Sequence, residues 1–173
     1  MARFSTEHYL WMGAGQSRCV REVNLLLRLR ALGLPVPEPI AGALWREGML
    51  YRAALLMQRV ATRGDLMSLV HEDVARAPWA EVGHTLARFH AVGAHHPDLN
   101  ARNVLQSREG GIVIIDWDRG RMGGVPSGWM TRELARLERS LLKYRRHVPE
   151  SRITEGMAAL RAAYNNALKA LTK

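Results

Sequence analysis

The sequence has 173 residues, of which 47% are hydrophobic and 24% charged, a composition typical of one folded domain, or two at most. This composition excludes a disordered or collagen-like chain. The single cysteine, Cys19, excludes an internal disulfide framework and a cysteine-based zinc site. The formal net charge of +9 points to an anionic partner, such as a phosphorylated substrate, nucleic acid or a membrane surface.

The first third of the chain predicts a helix, a connector and a hairpin. The apolar spacing over residues 16–32 predicts the helix. Prolines at every second position make residues 34–39 a stiff, extended connector. Residues 40–45 and 49–60 are typical of two strands around a turn. The residues predicted to share one face of the helix are Val20, Val23, Leu26, Leu27 and Arg30.

Helices predominate in the remainder of the chain. Asp65 is predicted to cap a short helix through Val70, and Pro78 to begin a longer one. Two short strands are predicted at residues 104–106 and 112–115. A glycine-rich loop past Asp118 and two closing helices complete the order, at residues 129–147 and 153–171. This order predicts an α+β fold rather than regular alternation of strand and helix.

One loop carries the residues that most favour a chemical function. Asp98 and Asn103 are five residues apart and His96 precedes them, close to the kinase catalytic-loop pattern H-R-D-x-x-x-x-N. Asp116 ends an apolar strand, as the metal-binding aspartate of kinases does. In phosphoryl transfer, Asp98 would orient the acceptor hydroxyl and take its proton, while oxygens of Asn103 and Asp116 would hold Mg²⁺. The turn at residues 108–111 is expected to bring both ligands to one mouth.

Each of these residues alone has an ordinary structural explanation. Asp and Asn are frequent turn formers, and an aspartate at a strand end often caps a helix. Their combination at fixed offsets, with Asp116 after four β-branched residues, favours catalysis instead. The segment from Asp116 to Asp118 is also a D-x-D, a metal and sugar-nucleotide motif of glycosyltransferases. That interpretation leaves the residues of the preceding loop unexplained.

These motifs resemble the bacterial branch of the protein-kinase-like superfamily, in which H-x-D-L-x-x-x-N is followed by I-D-[FW]-D. Longer strings are similar to one family within it, the 3-deoxy-D-manno-octulosonic acid (Kdo) kinases. The resemblance runs over most of the chain, from about Tyr9 to Lys143. The strings that carry it lie at residues 9–11, 21–22, 33–37, 96–103, 115–121, 129 and 137–143.

The resemblance implies an enzyme that uses ATP and Mg²⁺ to phosphorylate the 4-hydroxyl of Kdo on a lipid A precursor. Such enzymes act in lipopolysaccharide core assembly at the cytoplasmic face of the Gram-negative inner membrane. Asp98 would be the catalytic base, and Asn103 and Asp116 the magnesium ligands. Glu22 would pair with the cation that contacts ATP, and Asp118 would be a second carboxylate near the metal. The alternatives are a solvated Glu22 and an Asp118 that bonds to a following arginine.

The front of the chain departs from the kinase pattern. A kinase small lobe places three strands, a glycine-rich loop and a lysine before its first helix, whereas residues 1–15 alone precede it here and no lysine occurs before Lys143. Either the first methionine is internal to a longer protein, which we favour, or the chain has lost part of its ATP site. Taken as given, the chain is expected to bind ATP weakly and turn over little. We expect an incomplete small lobe at residues 1–60, whose end at 58–60 is a hinge for adenine, and a large lobe at 61–173.

The helix predicted at residues 129–147 has a basic face opposite an apolar one. We expect this face to attract the anionic inner leaflet or the phosphorylated acceptor, since each basic residue near such a surface contributes about 1 kcal/mol. The alternative is a solvated face partly neutralised by Glu133 and Glu138. The basic residues are Arg132, Arg136, Arg139, Lys143 and Arg146.

Other classes of function are less favoured. Aromatic residues make up 6% of the chain, and no RNA-binding aromatic stripe or helix-turn-helix pattern is present, which argues against a nucleic-acid module. No apolar run reaches the ~18–20 residues of a membrane span, so a peripheral or cytoplasmic protein is expected. Another small-molecule phosphotransferase and an inactive kinase-like binding module remain open, and the oligomeric state is unknown.

Overall fold

The computed structural model of the protein describes residues 2–4, 9–123 and 128–173, and of residues 2–4 the backbone only. In this part of the chain, five α-helices accompany three small antiparallel sheets. The mixed α+β pattern is therefore confirmed. The glycine-rich loop predicted past Asp118 lies partly outside the described residues. None of the described helices is long and apolar enough to cross a membrane.

The first sheet has four strands, three of which pair with a central strand. They are β1 (Ala2–Phe4), β2 (Tyr9–Leu10), β3 (Pro39–Glu47) and the central β4 (Leu50–Met57). β3 and β4 form the predicted hairpin, and Gly48 in its turn has a φ of 62°, which glycine adopts without strain. β1 and β2 pair with the other edge of β4. These two strands were not predicted, because two or three residues are too few to show an alternating pattern.

Helix α1 (Arg18–Ala31) packs on this sheet, and its N-terminus is capped by Ser17, whose hydroxyl accepts a hydrogen bond from the backbone of Val20. The predicted apolar face is buried only in part, since Leu26 is 1% exposed but Leu27 is 52% exposed. α1 lies so close to β3 that a Cβ on Gly42 would be 2.9 Å from Sγ of Cys19. The buried residues of α1 are Cys19, Glu22, Leu25, Leu26 and Leu29.

The middle of the chain follows the prediction closely. Helix α2 (Leu66–Asp73) begins at Asp65, whose carboxylate accepts a 2.9 Å hydrogen bond from the backbone of Ser68. Helix α3 (Trp79–Ala91) follows Pro78. The hydrophobic stripe of α3 is buried in the core, and its members are Trp79, Val82, Leu86 and Phe89.

Two further sheets hold the predicted catalytic loop between them. The second sheet contains β5 (Thr62–Asp65), β7 (Val104–Ser107) and β8 (Ile112–Ile114), and the third pairs β6 (Ala94–His95) with β9 (Arg121–Met122). β7 and β8 confirm the predicted strands. The β6–β9 pair brings the start of the catalytic loop beside the segment that follows Asp116.

Two helices close the fold, α4 (Trp129–Lys143) and α5 (Glu150–Leu171). α4 is shorter than predicted, because Arg146 has a φ of 51° and Pro149 then precedes the next helix. Arg146 therefore does not belong to the basic helix face. α5 packs tightly on α3.

Candidate active site

The loop between β6 and β7 is shaped by local hydrogen bonds and by buried apolar anchors. The backbone of Leu99 donates to the carbonyl of His96 (3.0 Å), and the side chain of Leu99 is fully buried. The side chain of Asn100 then accepts a hydrogen bond from the backbone of Arg102 (3.0 Å) and starts a short 3₁₀ turn. Asp98 lies between these anchors with 36% of its side chain exposed. The loop therefore leaves Asp98 partly exposed.

The β7–β8 hairpin joins the two predicted magnesium ligands. The backbone of Ile115 donates to the carbonyl of Asn103 (3.0 Å), so Asp116 follows directly beside Asn103. The side-chain amide of Asn103 donates to the backbone carbonyl of Asp98 (3.3 Å) and links the loop to the hairpin. Three of the predicted site residues are thus brought together: Asp98, Asn103 and Asp116.

Asp116 has a backbone conformation that costs energy. Its φ of 68° lies in the left-handed region, which costs a non-glycine residue on the order of 1–3 kcal/mol and persists where surrounding contacts impose it. Trp117, which follows, is 1% exposed and donates through Nε1 to the carbonyl of Ile114 (3.0 Å). Its ring stacks on Phe89, with centroids 5.2 Å apart, and lies 4.7 Å from the ring of His96. The buried tryptophan therefore holds Asp116 in place.

A cavity of about 440 Å³ lies next to Asn103 and Asp116. Apolar residues of the connector, β4, β7 and the end of β8 form much of its wall. The predicted hinge residues also lie there, and the backbone of Gln58 is anchored by a 2.8 Å hydrogen bond to the carbonyl of Glu38. Nothing local in the sequence marks the apolar lining residues, since they come together only in the fold. The lining consists of Pro37, Met57, Gln58, Arg59, Val60, Thr62, Asn103, Leu105, Ile115 and Asp116.

The other two candidates, Asp118 and Glu22, lie elsewhere among the described residues. The carboxylate of Asp118 pairs with the guanidinium of Arg18, at the start of α1. Arg18 also donates a 3.0 Å hydrogen bond to the hydroxyl of Tyr9. Glu22 is 8% exposed on the inner face of α1, so it is not the solvated residue of the alternative interpretation. Burial, and then the charge of Glu22, raises the pKa of Cys19.

The arginines after Asp118 have partners that no local sequence pattern indicates. Arg119 donates to Asp98 (3.0 Å), and Arg121 donates to Nδ1 of His95 (3.1 Å). The alternative in which Asp118 bonds to one of these two arginines therefore does not describe the structure, where Asp118 pairs with Arg18. Arg136 of α4 also reaches Asp98, at 3.7 Å. The helical spacing of the basic residues predicts that Arg136 lies on an exposed face, but only the fold shows which carboxylate it contacts.

A buried network behind the loop was also missed. Glu133 is 3% exposed and accepts a 2.7 Å hydrogen bond from the backbone of His96. Its carboxylate lies 3.1 Å from His90 and 3.3 Å from His95. His90 in turn lies 2.7 Å from the hydroxyl of Tyr164. Glu133 therefore ties α4 to α3 and to the start of the catalytic loop, and it does not neutralise the basic face.

The ring of His96 is held between the loop and the strand end. Its Nε2 lies 3.0 Å from the carbonyl of Ile115. Its Nδ1 is buried and has no hydrogen-bond partner among the described residues. The predicted histidine of the motif is thus a structural bridge to the segment that carries Asp116.

A family model and two related proteins agree on the family that the chain resembles. The family model described as "Lipopolysaccharide kinase (Kdo/WaaP) family" matches residues 1–164. The chain is 43% identical over 165 residues to a protein named 3-deoxy-D-manno-octulosonic acid kinase from Xanthomonas campestris pv. campestris (strain B100). It is 41% identical over 166 residues to one of the same name from Stenotrophomonas maltophilia (strain K279a). The alignments cover 94% and 96% of this chain, and 66% and 67% of the relatives. The chain thus spans about two thirds of the length of the curated relatives that it matches.

Proposed function

Because the chain belongs to the lipopolysaccharide kinase (Kdo/WaaP) family, we propose that it carries the catalytic residues of a Kdo kinase. In this proposal the enzyme transfers the γ-phosphoryl group of ATP to the 4-hydroxyl of Kdo on a lipid A precursor, during assembly of the lipopolysaccharide core. The relatives are named 3-deoxy-D-manno-octulosonic acid kinase, and the motifs quoted above resemble those of the family.

The observation that carries the proposal is the cavity between β4 and the β7–β8 hairpin. Its volume of about 440 Å³ falls in the range of small-ligand sites, roughly 300–1,000 Å³. Apolar side chains such as Met57 and Leu105 suit a flat adenine ring, and the backbone of residues 58–60 would supply hydrogen bonds to its edge. Asn103 and Asp116 line the same cavity and would face the phosphates.

The donor set in this cavity fits a magnesium ion. The amide oxygen of Asn103 and the carboxylate of Asp116 are hard oxygen ligands, and Mg²⁺ in ATP sites is usually held by one or two carboxylates together with phosphates and water. When bound there, Mg²⁺ would neutralise charge on the phosphates.

Asp98 is the proposed catalytic base. It would accept a hydrogen bond from the acceptor hydroxyl, orient its oxygen toward the γ-phosphorus and take the proton as the new P–O bond forms. The bond from that phosphorus to the β–γ bridging oxygen would break, and ADP would leave. The hydrogen bond from Asn103 to the backbone of Asp98 supports this role, because it fixes the base relative to the proposed metal site.

Glu22 and Asp118 remain proposed contributors to the cofactor site. Asp118 would act near the metal through its link to Arg18, which joins the start of α1 to the segment after Asp116. Glu22, buried on the next turn of α1, would pair with a cation that contacts ATP. The proposed lobes are residues 1–60, which are small and incomplete, and 61–173, which include the catalytic loop.

The proposed acceptor is lipid-linked, and we propose peripheral contact with the anionic inner leaflet, from the cytoplasmic face. The four basic residues of α4 are exposed, which supports this contact. Its two acidic residues point elsewhere, since Glu133 is buried and Glu138 pairs with Arg161 (2.9 Å). The exposed residues are Arg132, Arg136, Arg139 and Lys143.

The test combines nucleotide binding with phosphoryl transfer. The chain is titrated with ATP, with and without Mg²⁺, and assayed for transfer of radioactive phosphate to a Kdo-bearing lipid A precursor. Asp98→Asn should retain ATP binding and lower transfer by about 10²–10⁴-fold. Asp116→Asn should remove the Mg²⁺-dependent part of ATP binding. Glu109→Gln, in an exposed turn, is the control for loss of a carboxylate.

Two results would contradict the proposal. One is transfer by Asp98→Asn at the rate of the unaltered chain. The other is ATP affinity that does not change with Mg²⁺ or with Asp116→Asn.

A further inference from the structure

Two arginines converge on the proposed catalytic base. Arg119 donates to Oδ2 of Asp98 at 3.0 Å, and a guanidinium nitrogen of Arg136 lies 3.7 Å from Oδ1. The side chains of Arg119 and Arg136 are 64% and 50% exposed. Each guanidinium has five N–H donors in a planar fork, and one contact with Asp98 uses few of them. Donors on both guanidinium groups therefore remain for a second anion.

The charge at this place is unbalanced. Two guanidinium groups meet one carboxylate, which leaves an excess of one positive charge. The acidic residues nearest to them in sequence are engaged elsewhere: Asp118 pairs with Arg18, and Glu138 with Arg161. An oxyanion a few ångströms from Asp98 would complete the neutralisation, and arginine is well suited to bind one through two parallel hydrogen bonds.

The position of this excess charge indicates that it faces the acceptor substrate. A catalytic base must lie within hydrogen-bond reach of the hydroxyl that it activates, so groups beside Asp98 face the acceptor and not the adenine cavity. Arg119 and Arg136 do not line the cavity of about 440 Å³ as described above. The relatives are named for an octulosonic acid, and a sugar acid carries its carboxylate close to its ring hydroxyls.

We propose, resting on the proposed function, that Arg119 and Arg136 form a subsite for the carboxylate of the acceptor sugar. On binding, that carboxylate shares the two guanidinium groups with Asp98 and orients the sugar so that one hydroxyl meets the base. A neutral sugar would leave the excess charge uncompensated, so the subsite selects acidic acceptors by penalising neutral ones. A phosphate of the lipid acceptor has related chemistry, and the experiment separates the two sources.

The experiment compares acceptors that differ only in this group. Transfer is measured with a Kdo-bearing acceptor, its carboxamide, and the same acceptor without lipid phosphates. For the unaltered protein, the carboxamide should raise the acceptor KM by at least about tenfold, and loss of the lipid phosphates should not. Arg119→Gln and Arg136→Gln should each raise the KM for the acid by a similar factor, with the KM for ATP unchanged. In the double variant, acid and carboxamide should become equivalent.

Matched controls are exposed arginines on other elements of the fold. Arg28→Gln on α1 corresponds to the helical Arg136, and Arg108→Gln in the β7–β8 turn corresponds to the loop residue Arg119. Both should leave the preference for the acid intact. Arg136→Lys keeps the charge but loses the planar fork, and should recover only part of the acceptor affinity.

A binding measurement distinguishes failure of this inference from failure of the proposed function. Free Kdo and its carboxamide are titrated into the protein by calorimetry. Binding of the acid that is lost in Arg119→Gln/Arg136→Gln supports the subsite even if no acceptor is phosphorylated, a result that would remove the proposed function alone. If Kdo is phosphorylated but the double variant prefers the acid over the carboxamide as strongly as the unaltered protein does, the subsite is wrong and the proposed function stands. A preference that follows the lipid phosphates instead of the carboxylate also overturns the subsite.

Discussion

The packing of α3 on α5 is the feature whose perturbation can be predicted most sharply. A Cβ added at Gly83 would lie 2.3 Å from the carbonyl oxygen of Leu160 and 3.0 Å from the backbone nitrogen of Tyr164. Both atoms belong to the backbone of α5, so no side chain can rotate away. Nonbonded contacts of carbon need about 3.5 Å, so Gly83→Ala must move the helices apart by about 1 Å.

Two opposing effects decide the stability of Gly83→Ala. Alanine stabilises a helix interior by about 1 kcal/mol relative to glycine. Overpacking of a tight core costs about 1–3 kcal/mol, and this contact is at the upper end because backbone must move. We expect a net loss of about 2 kcal/mol in the free energy of unfolding. For a chain of this size the loss lowers Tm by about 4–8 °C.

Urea and thermal denaturation followed by circular dichroism measure this change. Gly111→Ala is the control, because its added Cβ would lie 3.7 Å from the hydroxyl of Ser107, an ordinary contact. It should change the free energy of unfolding by less than about 0.5 kcal/mol. A Tm of Gly83→Ala equal to or above that of the unaltered protein would refute the close packing of α3 on α5.

Three further predictions concern the buried network behind the catalytic loop. Glu133→Ala should lower the free energy of unfolding by about 3–5 kcal/mol, because the buried groups that contact Glu133 lose their hydrogen-bond acceptor. Glu133→Gln should lower it by less, since the amide oxygen can still accept. Urea denaturation that ranks the two variants equally would argue against the network. Burial, and then Glu133, raises the pKa of Tyr164 to about 12 from 10.0. The folded state therefore keeps a proton that the unfolded state loses, stability falls from pH 10 to 12, and Tyr164→Phe should flatten that part of the pH profile. Burial lowers the pKa of His95 from 6.5, so the stability contributed by the neutral imidazole is present above pH 6.5 and is lost as the pH falls below it. A dependence of stability on acidic pH that is unchanged in His95→Asn would contradict this.

The sequence alone was sufficient for most helices and hairpins, because their patterns are local. The 3.6-residue spacing located α1 and α3 to within a few residues, and Asp65 was recognised as a cap from its position alone. The motif residues Asp98, Asn103 and Asp116 were also found by spacing, since their separation reflects a single loop and a single hairpin. Their catalytic and metal-binding roles remain predictions.

Local patterns failed where a second element decided the outcome. On α1 the apolar spacing placed Leu26 and Leu27 on one face, but packing against β3 and β4 buries Leu26 and leaves Leu27 exposed. β1 and β2 exist because β4 offers them an edge, not because their own residues alternate. α4 ends at Lys143 because the chain then turns, through a left-handed Arg146, into α5.

The partners of the charged side chains were the feature that the sequence predicted least well. Glu133 and Arg136 lie three residues apart on one helix, yet Glu133 is buried among histidines and Arg136 reaches Asp98. The sequence determined that α4 has a basic face, because the spacing of its arginines is a property of the helix itself. Only the tertiary structure decided which carboxylate meets that face, because the energy of an ion pair depends on distance and burial, and both are set by segments far apart in the chain.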